Sequence, residues 1–308
     1  MNSSSDFSSA FWSGFTTLDE WLNAIIGHRK DVFPRFCFPC QTYFDEYISN
    51  IHSYSNEQVI SLLRELLIPY TTSNAYKMLS MYEGISTDDD YHGKIQEMLR
   101  HSHWARLLRG ENEWEGLTWI LELLPYRPLN AINVLSSYFF AEYQYMHDHR
   151  VEGISECIDI IEARFINQTS GKEKIIYALK PRDFEVLVEK LYKEMGYDTI
   201  LTPATRDGGK DIVATKKRPD ATEKVYIECK LYKTTRLKPE QINALTGVII
   251  RDCANRGVIF CTGNASNQLK ELDPRIQIIS LTETILLLNM HLGASWDVRH
   301  NSTESLTW

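Results

Sequence analysis

The chain has 308 residues, 43% hydrophobic and 24% charged, with a formal net charge of -8. That length predicts two domains, each able to bury a substantial core. No apolar run approaches the roughly 20 residues that cross a bilayer, which excludes a helical membrane protein. The opening "MNSSSDFSSAFWSGF" has neither a basic region nor a long apolar region of a secretion signal, so the expected compartment is cytoplasmic. Six cysteines, at positions 37, 40, 157, 229, 253 and 261, follow no disulfide-scaffold spacing, in keeping with a reducing compartment. The pair Cys37 and Cys40 in "CFPC" lacks the second pair of ligands that a structural zinc site needs, so buried or half-buried thiols are expected there.

The charge is unevenly distributed. Residues 1 to 170 hold 12 Lys and Arg against 23 Asp and Glu, a net of -11. The remaining 138 residues hold 21 against 18, a net of +3. A mildly basic second half is compatible with phosphate contact, and an acidic first half points to a protein partner.

From Leu18 to Phe165 the apolar residues recur at helical spacing, as in "VISLLRELL" and "GLTWILELLP", which predicts an all-helical domain over 1–166. Trp104, Trp114 and Trp119 fall on apolar positions and are expected in its core. Pro125 and Pro128 interrupt one helix, and the next is expected from about Leu129 to about Tyr145, with "HDHR" as an exposed turn after it. "STDDDYHGK" lacks the alternating ligands and final glutamate of an EF-hand and is expected to be a solvated loop. The polar stretch 167–174, "NQTSGKEK", is the expected linker to a second domain over 175–308.

That second domain alternates helix and strand. "PRDFEVLVEKLYKEMG" has a proline where a first helical turn tolerates it and an apolar face of Phe184, Leu187, Leu191 and Met195. "YDTILTP", "DIVATK" and "KVYIECKLY" read as strands, followed by a helix from about Lys238 to about Cys253. "GVIFCT" and "IQIIS" are further strands and "LTETILLLNMHLG" a closing helix. The fold expectation is α+β overall: a helical domain, then an αβββαβ core over 181–292 with a mixed sheet flanked by helices.

Side chains alternate across a strand, so Tyr226, Glu228 and Lys230 share one face while Ile227 and Cys229 share the other. Asp211 opens the preceding strand after the "RDGG" turn, and hairpin-like pairing would bring its carboxylate beside Glu228. Two such carboxylates form a hard oxygen site suited to Mg2+, with Mn2+ as a substitute. Such a site supports phosphodiester hydrolysis, with the metal activating water and Lys230 stabilising the developing charge.

"DGGKD" followed by "ECK" resembles the signature of the PD-(D/E)xK nuclease superfamily. "FEVLVEKLYKEMGYD" resembles the opening of the Mrr-like restriction endonuclease domain, and the likeness covers about 175–292. It implies metal-dependent cleavage of DNA, with Asp211 and Glu228 as metal ligands and Lys230 as the catalytic lysine. By the same resemblance Glu185 reaches the metal from the first helix, and Gln241 supports the site from the helix after it. "ANRGVIFCTGNAS" resembles the family's fourth strand, with "GNA" where "GFT" is usual. A bacterial defence role follows as the expectation. The alternatives are an inactive DNA-binding or assembly protein on the same fold, or a repair or junction nuclease. Lys216, Lys217, Arg218, Lys233, Arg236 and Lys238 are candidates for the DNA backbone. Double-strand cleavage needs two sites, so a homodimer or higher oligomer is a geometric expectation.

Overall fold

The computed structural model of the protein describes residues 14–29, 32–72, 100–203 and 209–297, together with Asn74, Ala75, Lys77, Ser80 and Gly93. Apart from Gly93, the "STDDDYHGK" stretch lies outside the described residues, as do Asp207 and Gly208. The chain folds as two compact units. One is built from residues up to Leu124 together with Asn130–Ile161, and the other from Pro125–Leu129 together with Glu162 onward.

The first unit is helical: α1 (Leu18–Ile26), α2 (Gln41–Ser49), α3 (Asn56–Leu66), α4 (Ser102–Leu108), α5 (Pro128–Glu142) and α6 (Asp148–Ile161). The helices begin where side chains satisfy their first amides. The Thr17 hydroxyl accepts from Glu20 N at the start of α1, and Ser55 and Gln58 form a reciprocal capping box on α3. Trp114 is buried, but Trp104 is only half-buried and Trp119 is 55% exposed, so the expected three-tryptophan core holds for one of them. The stretch around Trp119 is a 3-10 turn, Thr118–Leu123, rather than a longer helix. The expected exposed "HDHR" turn is also corrected. Asp148 starts α6, and Arg150 is 1% exposed, donating from Nη1 to the last carbonyl of α3, Leu66 O, at 2.8 Å. A helix C-terminus presents orphan carbonyls and partial negative charge, which is what draws this guanidinium inward.

The second unit follows the expected order: α7 (Lys172–Ala178), α8 (Pro181–Glu194), β1 (Asp198–Leu201), β2 (Ile212–Lys217), β3 (Thr222–Lys230), α9 (Pro239–Arg251), β4 (Arg256–Cys261), α10 (Asn267–Lys270), β5 (Ile276–Ile279) and α11 (Leu281–Leu292). The strands lie side by side in chain order. β1, β2 and β3 are antiparallel neighbours, while β3, β4 and β5 run parallel. Parallel neighbours require a crossover, and α9 supplies it between β3 and β4.

Both faces of the sheet are covered. Phe184, Leu187 and Leu191 of α8 pack with Ile227, Phe260 and Leu288 on one side. Ile242, Leu245 and Ile249 of α9 pack with Tyr226 and Ile259 on the other. The side-chain parity read from the sequence therefore holds. Ile227 and Cys229 face α8, and Tyr226 faces α9.

Residues 167–174 are not a free linker. Asn289 Nδ2 donates to Ile166 O at 2.7 Å and Gln168 O at 2.9 Å, and α7 starts within the stretch, at Lys172. Lys172 is buried and donates from Nζ to Asn289 Oδ1 at 2.7 Å and Ala294 O at 2.6 Å. Trp296 Nε1 donates to the same Asn289 oxygen at 2.9 Å. Polar composition suggests a linker because it resembles one locally. The partners that anchor the stretch lie more than a hundred residues away.

Breaking this hub leaves buried polar groups unsatisfied, at about 1–3 kcal/mol. Limited proteolysis of the native chain should spare 167–174, whereas Lys172→Ala should become cleavable there. Rapid cleavage of the unsubstituted chain at those residues would contradict the anchoring.

Candidate active site

The site forms where β2 begins and β3 ends. Gly209 sits at φ +81°, a conformation that side chains rarely adopt, and a Cβ there would stand 3.3 Å from Val248 Cγ2. Lys210 then anchors the chain towards α9. Its Nζ pairs with Asp252 Oδ2 at 2.8 Å and lies 4.1 Å from the centre of the Tyr226 ring.

Asp211 follows and is held on three sides. Its amide donates to Ile227 O at 2.9 Å, its carbonyl accepts from Thr202 N at 2.8 Å, and its carboxylate Oδ2 accepts from Cys229 N at 2.6 Å. In the β2–β3 ladder Ile212 stands opposite Ile227. The ladder stops there: Asp211 lies just before β2 with its N–H turned to β3 and its C=O to β1, and its carboxylate reaches the Cys229 amide, between Glu228 and Lys230.

Lys230 is two residues along β3 and its Nζ meets Glu228 Oε1 at 2.5 Å. Glu185, in the first turns of α8, is bridged by Arg182 Nη1 at 2.7 Å, and the same nitrogen donates to Thr202 O at 2.9 Å. Arg182 thus ties the helix carboxylate to the loop that also holds the Asp211 backbone.

The electrostatics report the crowding. Burial pushes the Asp211 carboxyl up to about 6; the Cys229 amide and Lys230 act against the rise, and the negative charges of Glu185 and Glu228 add to it. Burial penalises the Lys230 ammonium, yet Glu228, with Tyr232 and Asp211, outweighs it and the net direction is up. Lys230 is therefore a cation at neutral pH. The Cys229 thiol, buried and next to these carboxylates, is held far above its ordinary range.

Of the predicted site residues, Asp211, Glu228, Lys230 and Glu185 come together. Gln241 does not join the carboxylates by any described contact. Its Oε1 accepts from Lys238 N at 2.9 Å, capping α9, and its Nε2 donates to Tyr232 Oη at 2.5 Å. Tyr232 N in turn donates to Thr262 Oγ1 at 2.8 Å, and Thr262 N donates to Lys230 O at 3.0 Å. Gln241 thereby braces the segment that leaves Lys230. Tyr232, Thr262 and Arg182 do not stand out in the sequence. Their hydroxyl and guanidinium types are visible there, but the β3–β4 register that sets Lys230 opposite Cys261 is not.

The basic candidates separate into two groups. Lys216, Lys217 and Arg218 lie at the β2–β3 turn, six residues or about 20 Å along the strand from Asp211. Lys216 Nζ donates to Met195 O at 2.7 Å and Arg218 pairs with Glu223 at 2.6 Å, so both serve the fold; Lys217 is exposed. Lys233, Arg236 and Lys238 are exposed on the segment that runs from Lys230 to α9.

Residues 176–290 match the restriction endonuclease family Mrr_cat. An uncharacterized protein of Sinorhizobium fredii, y4cE, is 27% identical over 96 residues, 30% of this chain and 25% of the relative. The chain thus spans about a quarter of the length of that curated relative. Among solved structures, the DNA modification-dependent restriction endonuclease AspBHI is similar at 20% identity, with a TM-score of 0.32 over 38% of this chain and 34% of that one. The αβββαβ order and five-stranded mixed sheet agree with a restriction-endonuclease-like α+β fold. At residues 176–290 the chain carries a domain of the Mrr_cat restriction endonuclease family.

A carboxylate that is harder to ionise in the fold than in the unfolded chain costs stability at neutral pH. The folded chain keeps the Asp211 proton up to about pH 6, and the unfolded chain releases it near 3.8, so stability falls as pH rises between those values. In metal-free protein at pH 7.5, Asp211→Asn should raise the stability to urea by on the order of 1–2 kcal/mol. The gain should fade below about pH 4. Equal midpoints for both proteins across the range would contradict the crowding.

Proposed function

We propose that the chain is a divalent-metal-dependent endonuclease that hydrolyses phosphodiester bonds in DNA, using Mg2+ and accepting Mn2+. The observation that carries this reading is the gathering of three carboxylates with one lysine: Asp211 sits on the Cys229 amide, Lys230 pairs with Glu228, and Glu185 and Glu228 are near enough to raise the Asp211 carboxyl. The donor set fits a hard cation: carboxylate oxygens dominate it, and burial with like-charge repulsion favours an added positive charge. When bound, that cation supplies charge neutralisation at the phosphate and a water of lowered pKa.

The chain's own residues do the rest. Asp211, Glu228 and Glu185 hold the cation, with Asp211 oriented by the Cys229 amide and Glu185 by Arg182. Lys230 remains protonated and donates to the attacking water or to a phosphate oxygen, where it stabilises the negative charge that develops. Its raised affinity for its proton suits it to this role rather than to that of a general base. Gln241 and Tyr232 hold the backbone that follows Lys230. Lys233, Arg236 and Lys238 track the DNA backbone next to the scissile phosphate.

The restriction character of the matched family supports a role in bacterial defence against foreign or modified DNA. The acidic first unit engages a protein partner rather than DNA, and two copies act together where both strands are cut. No helix among the described residues is long and apolar enough to cross a membrane, which is consistent with a cytoplasmic setting.

Plasmid incubated with the purified chain and Mg2+ should be nicked or linearised, and EDTA, Asp211→Ala or Lys230→Ala should abolish this. Cleavage at an unchanged rate in either variant would defeat the reading. On DNA binding, charge reversal at Lys233, Arg236 and Lys238 should flatten the salt dependence by about 0.9 log units for each phosphate that is no longer neutralised. Lys217→Glu should leave that slope nearly unchanged. An equal effect at Lys217 would show that the DNA path runs elsewhere.

A further inference from the structure

The first unit contains a group of donors that plays no part in the nuclease chemistry. His149 and Glu152 stand three residues apart at the start of α6, and Cys37 meets them from the segment that precedes α2. Cys37 Sγ is 3.8 Å from His149 Nδ1, and His149 Nδ1 is 3.8 Å from Glu152 Oε2. One donor atom from each residue lies within 4.8 Å of the others.

The approach is built into the backbone. A Cβ at Gly153 would lie 1.6 Å from Phe36 O, so only glycine lets the 36–38 segment lie against α6. Phe38 N donates to Glu156 Oε2 at 2.8 Å, one turn further along the same helix, which fixes the segment in register with His149 and Glu152. Phe33 packs edge-on to the His149 ring, centroids 5.5 Å apart. The buried thiol sits at the floor, and the His149 and Glu152 side chains are 48% and 62% exposed, so an ion has a path in from solvent.

From these distances we propose that Cys37, His149 and Glu152 bind a zinc-class divalent cation through one sulfur, one nitrogen and one oxygen donor. In tetrahedral coordination, metal–ligand bonds of about 2.0–2.3 Å set neighbouring donors about 3.3–3.5 Å apart. The two 3.8 Å separations are a few tenths of an ångström wider and the Cys37–Glu152 separation is at most 4.8 Å, so rotamer changes of the two exposed side chains close the group around an ion. Thiolate and imidazole select zinc, cobalt or nickel over the hard cations suited to Asp211 and Glu228, so the two sites take different metals. Three protein ligands leave a fourth position for water or for a donor from a partner. Binding releases the Cys37 proton and clamps the 36–38 segment to α6. Cys40, the neighbour that the "CFPC" spacing suggests, is not part of the group; it stands half-buried at the N-cap position of α2, with no side-chain capping bond.

Co2+ is the probe: the full chain, stripped with chelator and desalted under reducing conditions, is titrated with it and followed by thiolate-to-cobalt charge-transfer absorption. One equivalent should give that band together with tetrahedral d–d bands, and Zn2+ should displace both. His149→Gln and Glu152→Gln, at exposed positions that leave folding intact, should each weaken binding at least ten-fold, and Cys37→Ser should remove the charge-transfer band. Cys40→Ser and Cys253→Ser should bind as the unsubstituted chain does. Absence of the band, its persistence in Cys37→Ser, or unchanged affinity in both His149→Gln and Glu152→Gln would overturn the proposal.

Discussion

The β2–β3 register is the constraint on which the candidate site depends. An antiparallel ladder that sets Ile212 against Ile227 delivers Asp211 to the end of β3, where its carboxylate meets the Cys229 amide, and a slip of one residue would turn Glu228 to the other face. Burial on both faces prevents that slip. Ala214 and Ile227 are locked under α8 and α11, and Tyr226 is locked under α9. The hydrophobic effect fixes the strands, and the strands impose a like-charge contact that the carboxylates would not adopt by themselves. Local devices then reinforce it: the Cys229 amide on Asp211, Arg182 on Glu185, and Lys230 on Glu228.

That arrangement places stability and function in opposition. Asp211 titrates near 6 because burial and neighbouring charge resist its ionisation, and the same repulsion is relieved when a cation enters. Lys230, paired with Glu228, is a cation set among these carboxylates. The scaffold around them carries the cost: a two-sided core, a braced exit from β3 through Tyr232, Thr262 and Gln241, and the Lys172 hub that binds the segment ahead of α8.

Much of this is legible in the residues. The apolar face of α8, the three β-rich runs and the parity of Glu228 and Lys230 are local patterns, and they lead to the right elements and the right face. Long-range facts stay hidden. Nothing local shows that Lys172 pairs with Asn289, that Arg150 enters the core to cap α3, or that Cys37 meets His149 across 112 residues. Distance along a strand is also easily misread: "KKR" follows Asp211 closely in sequence, but an extended chain carries it about 20 Å away. The position of Gln241 after β3 suggests a supporting residue, and what the sequence does not show is the route: its hydrogen bonds cap a helix and brace Tyr232.

The central claim, that a divalent cation enters between Asp211 and Glu228, is tested most directly by Mg2+ titration of the isotopically labelled chain, watching the Cys229 amide by NMR. That N–H donates to Asp211 Oδ2, so it reports any change in the carboxylate. The account predicts a large, saturable shift at Cys229 that is lost in Glu228→Gln. An unmoved Cys229 amide, or an identical shift in Glu228→Gln, would contradict it.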